Sequence, residues 1–144
     1  MKRLMLIGQS QCGKTSLLQR LQQQPLQYHK TQALDYSAMA IDTPGEYLEH
    51  RAMYSILITS ACDSDVIALV QAADSSQTFF APMFAAAFTK PVIGIVTKAD
   101  TLIHNNNLAF ATAQLQQAGV THVFVTSALT EDGITDLLNY LNAS

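Results

Sequence analysis

Charge is scarce in this chain. Only 13% of its 144 residues are Asp, Glu, Lys or Arg, against about 25% in an average soluble protein. The surface must therefore be built from neutral polar groups, glutamine above all, or remain partly apolar. Basic residues run out early: none follows Lys98, whereas Asp100, Glu131, Asp132 and Asp136 do. With a formal charge of −3, the chain has no basic footprint for nucleic acid or an anionic membrane, and the composition argues against both as partners. Cysteine is limited to Cys12 and Cys62, too few for a disulfide scaffold and without metal-ligand spacing. Long hydrophobic runs are missing too. The apolar opening at residues 4–7 is stopped by Gly8, short of the about 7–15 residues of a signal-peptide core. No run approaches the roughly 20 residues of a membrane span. The expectation is a cytoplasmic, soluble protein.

What is present is apolar material in short pieces. Hydrophobic residues make up 49% of the chain, and a domain of this size removes roughly 70% of its unfolded surface from water without disulfides or metal. Residues 4–7, 66–70, 92–96 and 123–126 are β-rich runs bounded by turn residues, and 39–41 is a weaker fifth. Between them apolar residues recur every three to four positions: Leu17, Leu18, Leu21; Met53, Ile56, Leu57; Leu108, Ala111, Leu115; Leu137, Leu138, Leu141. Near-continuous apolar strands alternating with helices predict a mainly parallel α/β sheet, buried on both faces and covered by helices on each. Gly119 stands where a C-terminal cap would follow a helix over residues 107–118. No repeat or linker divides residues 1–144, so a single domain is expected. Residues 25–36 lack a period and read as a long mobile loop, of a length that in compact domains often serves function.

Four segments carry the chemistry, each at the end of a strand. Gly8-Gln9-Ser10-Gln11-Cys12-Gly13-Lys14-Thr15 fits G-x-x-x-x-G-K-[ST] between a strand and a helix. There backbone N–H groups can surround phosphate oxygens, aided by the helix dipole, with Lys14 on the β- and γ-phosphates and the Thr15 hydroxyl on Mg²⁺. Asp42-Thr43-Pro44-Gly45, 28 residues beyond Lys14, supplies a carboxylate for the metal, through water, and an N–H for a γ-phosphate. Alone it would be an ordinary turn. Thr97-Lys98-Ala99-Asp100 offers a carboxylate to the guanine N1 and N2 donors and a lysine stem to cover the base; a purine without those donors leaves a carboxylate unpaired. Ser127-Ala128 brings a backbone N–H toward guanine O6, although taken alone it also reads as a strand-end turn.

In this order the segments resemble the small P-loop GTPases of the translation-factor and Ras-like superclass. Residues 1–8, Lys30-Thr31-Gln32-Ala33, Ile41-Asp42-Thr43-Pro44-Gly45-Glu46-Tyr47 and the shortness of the chain resemble more closely the ethanolamine- and propanediol-utilisation (EutP/PduV) family, across essentially all 144 residues. Cys12 and Tyr47-Leu48-Glu49 look nearer the propanediol branch. The resemblance implies a P-loop NTPase of Ras-like GTPase fold, here a minimal G domain. It implies GTP or GDP with Mg²⁺ as ligands and an association with a bacterial microcompartment, whose shell or pathway proteins would be partners; the few charged residues and the apolar stretch 79–88 would also suit pairing with a second copy of the chain. Thr31, the lone threonine between Thr15 and Thr43, is the switch candidate that would complete the Mg²⁺ shell and meet the γ-phosphate. Only eleven positions separate it from Asp42, so the edge hairpin should be short or missing. Residues expected to serve hydrolysis are Lys14, Thr31, Gly45 and Glu46. Those expected at the nucleotide are Gly8, Gln11, Cys12, Gly13, Lys14, Thr15, Ser16, Thr97, Lys98, Asp100, Ser127 and Ala128, and at the metal Thr15, Thr31 and Asp42.

Three positions depart from the Ras-like pattern. Glu46 replaces a water-orienting glutamine and cannot donate to a γ-phosphate, which predicts slow or assisted hydrolysis. Ser10 and Gln11 would crowd an inserted arginine finger. Thr97 replaces the more frequent asparagine, with fewer contacts to the phosphate loop. Two other function classes stay open: a non-hydrolysing module ordered by nucleotide, and a phosphotransferase acting on a small carboxylate. Elsewhere, Cys12 reads as a small side chain tucked under its loop, and His29, His50, His104 and His122 show no ligand pairing. The phenylalanine-rich stretch 79–88 reads as a helix laying an aromatic stripe on the sheet; Phe79 or Met83, if off the stripe, would form an exposed docking patch.

Overall fold

Val66–Ala72 and Val92–Thr97 are buried at every position, as β-branched and apolar runs must be when helices cover both sides of a sheet. A computed structural model describes residues 2–9, 13–21, 35–36, 40–43, 51–73, 80–98, 108–127, 130 and 133–142. The strands are β1 (Leu4–Gly8), β2 (Asp35–Tyr36), β3 (Ala40–Asp42), β4 (Val66–Ala72), β5 (Val92–Thr97) and β6 (Val123–Val125). They form a six-stranded sheet in the order β2-β3-β1-β4-β5-β6. All neighbouring pairs are parallel except β2–β3. The expected stunted edge is thus present as a two-residue antiparallel strand.

Side-chain alternation along the strands divides the core in two. Met5, Ile7, Ile67 and Leu69 point to a layer closed by α2 (Tyr54–Ala61) and α3 (Leu108–Gln117), with Leu57, Ala111 and Leu115 as the helix contributions. Leu4, Leu6, Ala68 and Val70 point to the opposite layer. It is closed by Leu17 and Leu21 of α1 (Lys14–Leu21) and by Ile134, Leu137 and Leu141 of α4 (Ile134–Asn142). A 3₁₀ turn at Arg51–Met53 leads into α2. Gly119 caps α3 at φ +95°, with its N–H on the Gln116 carbonyl at 3.0 Å.

Two expectations need correction. The aromatic segment is not a continuous helix: only Phe84–Ala87 is helical, as a 3₁₀ turn, and Met83 before it sits in the left-handed region at φ 61°. Pro82 has no N–H to extend a helix, and a left-handed residue breaks one. The stripe survives without the helix. Phe80, Phe84 and Phe88 are buried, with successive ring centroids 5.7 and 5.6 Å apart, and Tyr54 meets Phe84 edge-on at 5.5 Å. Met83 stands off it at 63% exposure, and Phe79 lies outside the described residues. β6, in turn, is a partly exposed edge rather than a strand buried on both faces. It stops at Val125, and Thr126 ties its N–H and its hydroxyl to the Val96 carbonyl at 2.7 and 3.0 Å.

Candidate functional site

Parallel strands bring their carboxyl ends to one edge of the sheet, where open α/β folds place ligands. The register fixes what meets there: Leu6 opposite Asp42, Gly8 opposite Val70, Ala72 opposite Thr97, and Val96 opposite Val125. The end of β1, the end of β3, the end of β5 and the turn after β6 therefore face the same region.

At the end of β1 the chain turns into α1 through Gly13, whose φ of +97° suits glycine and whose carbonyl accepts the Leu17 N–H at 2.9 Å. Lys14, the first residue of α1, is only 6% exposed. Its Nζ donates to the Gly8 and Gln9 carbonyls at 2.8 and 3.0 Å, which straps the ammonium to the end of β1. A buried ammonium of this kind is a strong donor to phosphate oxygen, which it binds by charge-assisted hydrogen bonds. Ser16 lies half-buried in the first turn of α1.

Asp42 ends β3 at 1% exposure. Being in register with Leu6, it shares the sheet face that Leu6 presents to Leu17 and Leu21 of α1. Thr43 follows it, also buried, and donates its hydroxyl to the Leu6 carbonyl at 2.7 Å. Thr97 ends β5. A Cβ added at Gly13 would stand 3.3 Å from both the Cβ and the Oγ1 of Thr97, so Gly13 and the end of β5 are in close contact. Lys98 follows at φ 60°, turning the chain sharply. Ser127 is fully buried and its hydroxyl accepts the Thr130 N–H at 3.2 Å. That turn is held down by Gly133, where a Cβ would fall 2.1 Å from the Val125 carbonyl oxygen.

The structure thus brings together Gly8, Gly13, Lys14, Asp42, Thr97, Lys98 and Ser127. Gln11, Cys12, Thr31, Gly45, Glu46, Asp100 and Ala128 lie outside the described residues, as does the side chain of Thr15. Two residues escaped the sequence reading. Thr43 had no assigned role, and a hydroxyl-to-carbonyl bond across 37 positions leaves no local signal. Gly133 matters only because β6 passes beneath it.

The donor set fits a hard divalent cation that carries its own phosphate and water ligands. Asp42 provides one buried carboxylate, and among the described residues no three His, Cys, Asp or Glu side chains group to hold a metal by themselves. One or two carboxylates plus phosphate oxygens is the usual Mg²⁺ arrangement.

The comparisons with known proteins agree with this geometry. The sequence model of the PduV-EutP family, "Ethanolamine utilisation - propanediol utilisation", matches residues 1–143. The chain belongs to this family. The family's propanediol utilization protein PduV of Citrobacter freundii is 51% identical over 143 residues, which cover 99% of this chain and 95% of that protein. A family relative described as a probable acetate kinase, EutP of Escherichia coli, is 34% identical over 102 residues, covering 69% of this chain and 64% of that protein. Outside the family, GTPase Era of Mesorhizobium japonicum is 26% identical over a match spanning 94% of this chain and half of Era. Among solved structures, the GDP-bound Roco2 RocCORdC of Methanosarcina barkeri superposes with a TM-score of 0.65 at 18% identity, over 96% of this chain and 47% of that one. The fold is that of the P-loop GTPases. Among the described residues no helix is long and apolar enough to cross a membrane.

Proposed function

We propose that this protein binds GTP and GDP with Mg²⁺ and hydrolyses GTP slowly. It would act as a single minimal G domain within propanediol or ethanolamine utilisation, in association with a bacterial microcompartment. The observation that carries the reading is the buried Lys14 ammonium strapped to the Gly8 and Gln9 carbonyls, on the same sheet edge as Asp42 and Thr97. The name of Era and the GDP in the Roco2 structure support guanine nucleotide as the ligand.

In this reading the N–H groups of residues 9–14 and the α1 dipole hold the phosphates, and Lys14 reaches the β- and γ-oxygens. Thr15, Thr31 and, through water, Asp42 would hold Mg²⁺, which would supply positive charge to the phosphates. Gly45 gives its N–H to the γ-phosphate, while Thr97 braces Gly13. Lys98 covers the base, Asp100 accepts from guanine N1 and N2, and Ala128 donates toward O6, positioned by Ser127. Water attacks the γ-phosphorus, the bond to the β–γ bridging oxygen breaks, and GDP and phosphate leave. Glu46 can accept from that water but not donate to the phosphate, so turnover is expected on the order of 10⁻³ s⁻¹ or slower, the unassisted range for such sites.

Mg²⁺-dependent binding of fluorescent GDP beside ADP, for wild type and Asp100→Asn, tests the reading. Selective GDP binding that loses roughly 3 kcal/mol of guanine preference in the variant is expected, the cost of a buried group left unpaired. Equal ADP binding would reduce residues 97–100 to an ordinary turn. The relatives described as probable acetate kinases favour a second reading, transfer of the γ-phosphoryl group to a small carboxylate. Acetyl phosphate above a no-enzyme control would establish it.

A further inference from the structure

Main-chain pairing between β3 and β1 runs over three residues and ends with Leu6 opposite Asp42. One residue later the pairing is continued by a side chain: Thr43, buried to the same degree as Asp42, donates its hydroxyl to the Leu6 carbonyl at 2.7 Å. Leu6 lies two residues before Gly8, whose carbonyl holds the Lys14 ammonium. The Thr43 hydroxyl therefore ties the strand that carries the carboxylate to the strand that carries the lysine strap. A valine would fill the same buried volume without this bond. The backbone on the carboxyl side of Asp42 is thus pinned by Thr43, and on its amino side by the ladder, which fixes the point on the sheet edge from which the carboxylate extends.

We propose that Thr43 is the positioning residue for the divalent cation: by clamping the end of β3 to β1 it aims the Asp42 carboxylate at the metal's water shell. This rests on the reading of the site as a Mg²⁺–guanine-nucleotide site. The Thr43 hydroxyl is committed to the Leu6 carbonyl, so its role toward the cation would be indirect, through Asp42. On its other edge Asp42 pairs with Asp35 of β2; on the β1 edge, toward the lysine strap, the ladder stops at Leu6 opposite Asp42 and the Thr43 hydroxyl carries the tie one residue further.

The test is the Mg²⁺ dependence of GDP release, measured with fluorescent GDP on the full chain, for wild type, Thr43→Val and Thr43→Ser. In T43V the Mg²⁺ concentration that half-suppresses release should rise about tenfold, the order expected for one lost buried hydrogen bond. Release in excess EDTA should stay unchanged, and T43S, which keeps the hydroxyl, should follow wild type. A T43V curve superposing on wild type would overturn the proposal. So would a T43S curve displaced as far as that of T43V, or an equal acceleration in EDTA, since those patterns belong to general support of the fold. If circular dichroism shows T43V unfolded, T43A takes its place: a shift in T43A that T43S lacks supports the clamp, and matching curves overturn it. A wild-type protein whose GDP release ignores Mg²⁺ overturns the nucleotide reading itself, and this inference with it.

Discussion

Two backbone carbonyls, those of Gly8 and Gln9, receive the ammonium of Lys14 at 6% exposure, an arrangement that costs several kcal/mol of desolvation before any ligand arrives. Replacing it with methionine, of similar length and without charge, should lower GDP affinity on the order of 100-fold, the upper range for a charged hydrogen bond. The melting temperature of the nucleotide-free protein should hold or rise. Titration with fluorescent GDP and a thermal melt of the same sample check both halves. Glu46→Gln tests the other end of the reaction. Restoring a side chain that both accepts from water and donates to phosphate should raise single-turnover hydrolysis about tenfold, roughly 1.4 kcal/mol of barrier, with GDP affinity unchanged. At this scale placement was legible wherever it depends on near neighbours, as for Lys14 opening α1 after Gly13 or Thr97 ending β5. The sequence was silent on Thr43 and Gly133, whose partners Leu6 and Val125 are brought to them only by the sheet.

Elements were legible to the extent that burial alone decides them. β4 and β5 extend their predicted runs by two residues and one, because Gln71, Ala72 and Thr97 lack the β-branched apolar signature yet are buried by the neighbouring strand. The aromatic segment shows the opposite failure. The aromatic stripe expected over residues 79–88 is there as buried Phe80, Phe84 and Phe88, but a turn with left-handed Met83 and a single 3₁₀ turn satisfies the same four-residue spacing as a helix would. Periodicity recorded which rings face the sheet, not how the chain travels between them. The turn from β6 to α4 permits a sharp prediction. Gly133 has φ +76°, and a methyl group there would meet the Val125 carbonyl oxygen. Gly133→Ala must displace the start of α4 or the end of β6, and should destabilise the fold by about 3 kcal/mol, in the range of severe overpacking. It should also weaken GDP binding, since Ser127 belongs to that turn. Urea unfolding followed by circular dichroism, with the GDP titration beside it, measures both effects.

The whole molecule couples its ligand to its stability, because the proposed site is made of strand ends rather than of a separate lobe. β1, β3, β5 and β6 each deliver one part of it, so nucleotide bound there would add to the ties that the sheet and the Gly13–Thr97 contact already make between these segments. A ligand that binds only the folded state at 100 times its Kd adds about 2.7 kcal/mol. For a chain of this size each kcal/mol moves the melting temperature by about 2–4 °C, so saturating GDP with Mg²⁺ should raise it by about 5–10 °C. ADP with Mg²⁺ should leave it in place, because the adenine edge lacks the donors that Asp100 requires. Sparse charge sharpens the expectation: with 13% charged residues and a formal charge of −3, general salt effects on the fold are small. A shift produced by GDP and not by an equal concentration of ADP then reads as base recognition. Equal shifts from both nucleotides would assign the stabilisation to the phosphate loop alone and remove Asp100 from the site. In Lys14→Met the GDP shift should shrink with the lost affinity: a 100-fold weaker site at the same nucleotide concentration retains about 0.4 kcal/mol, a displacement of about 1 °C.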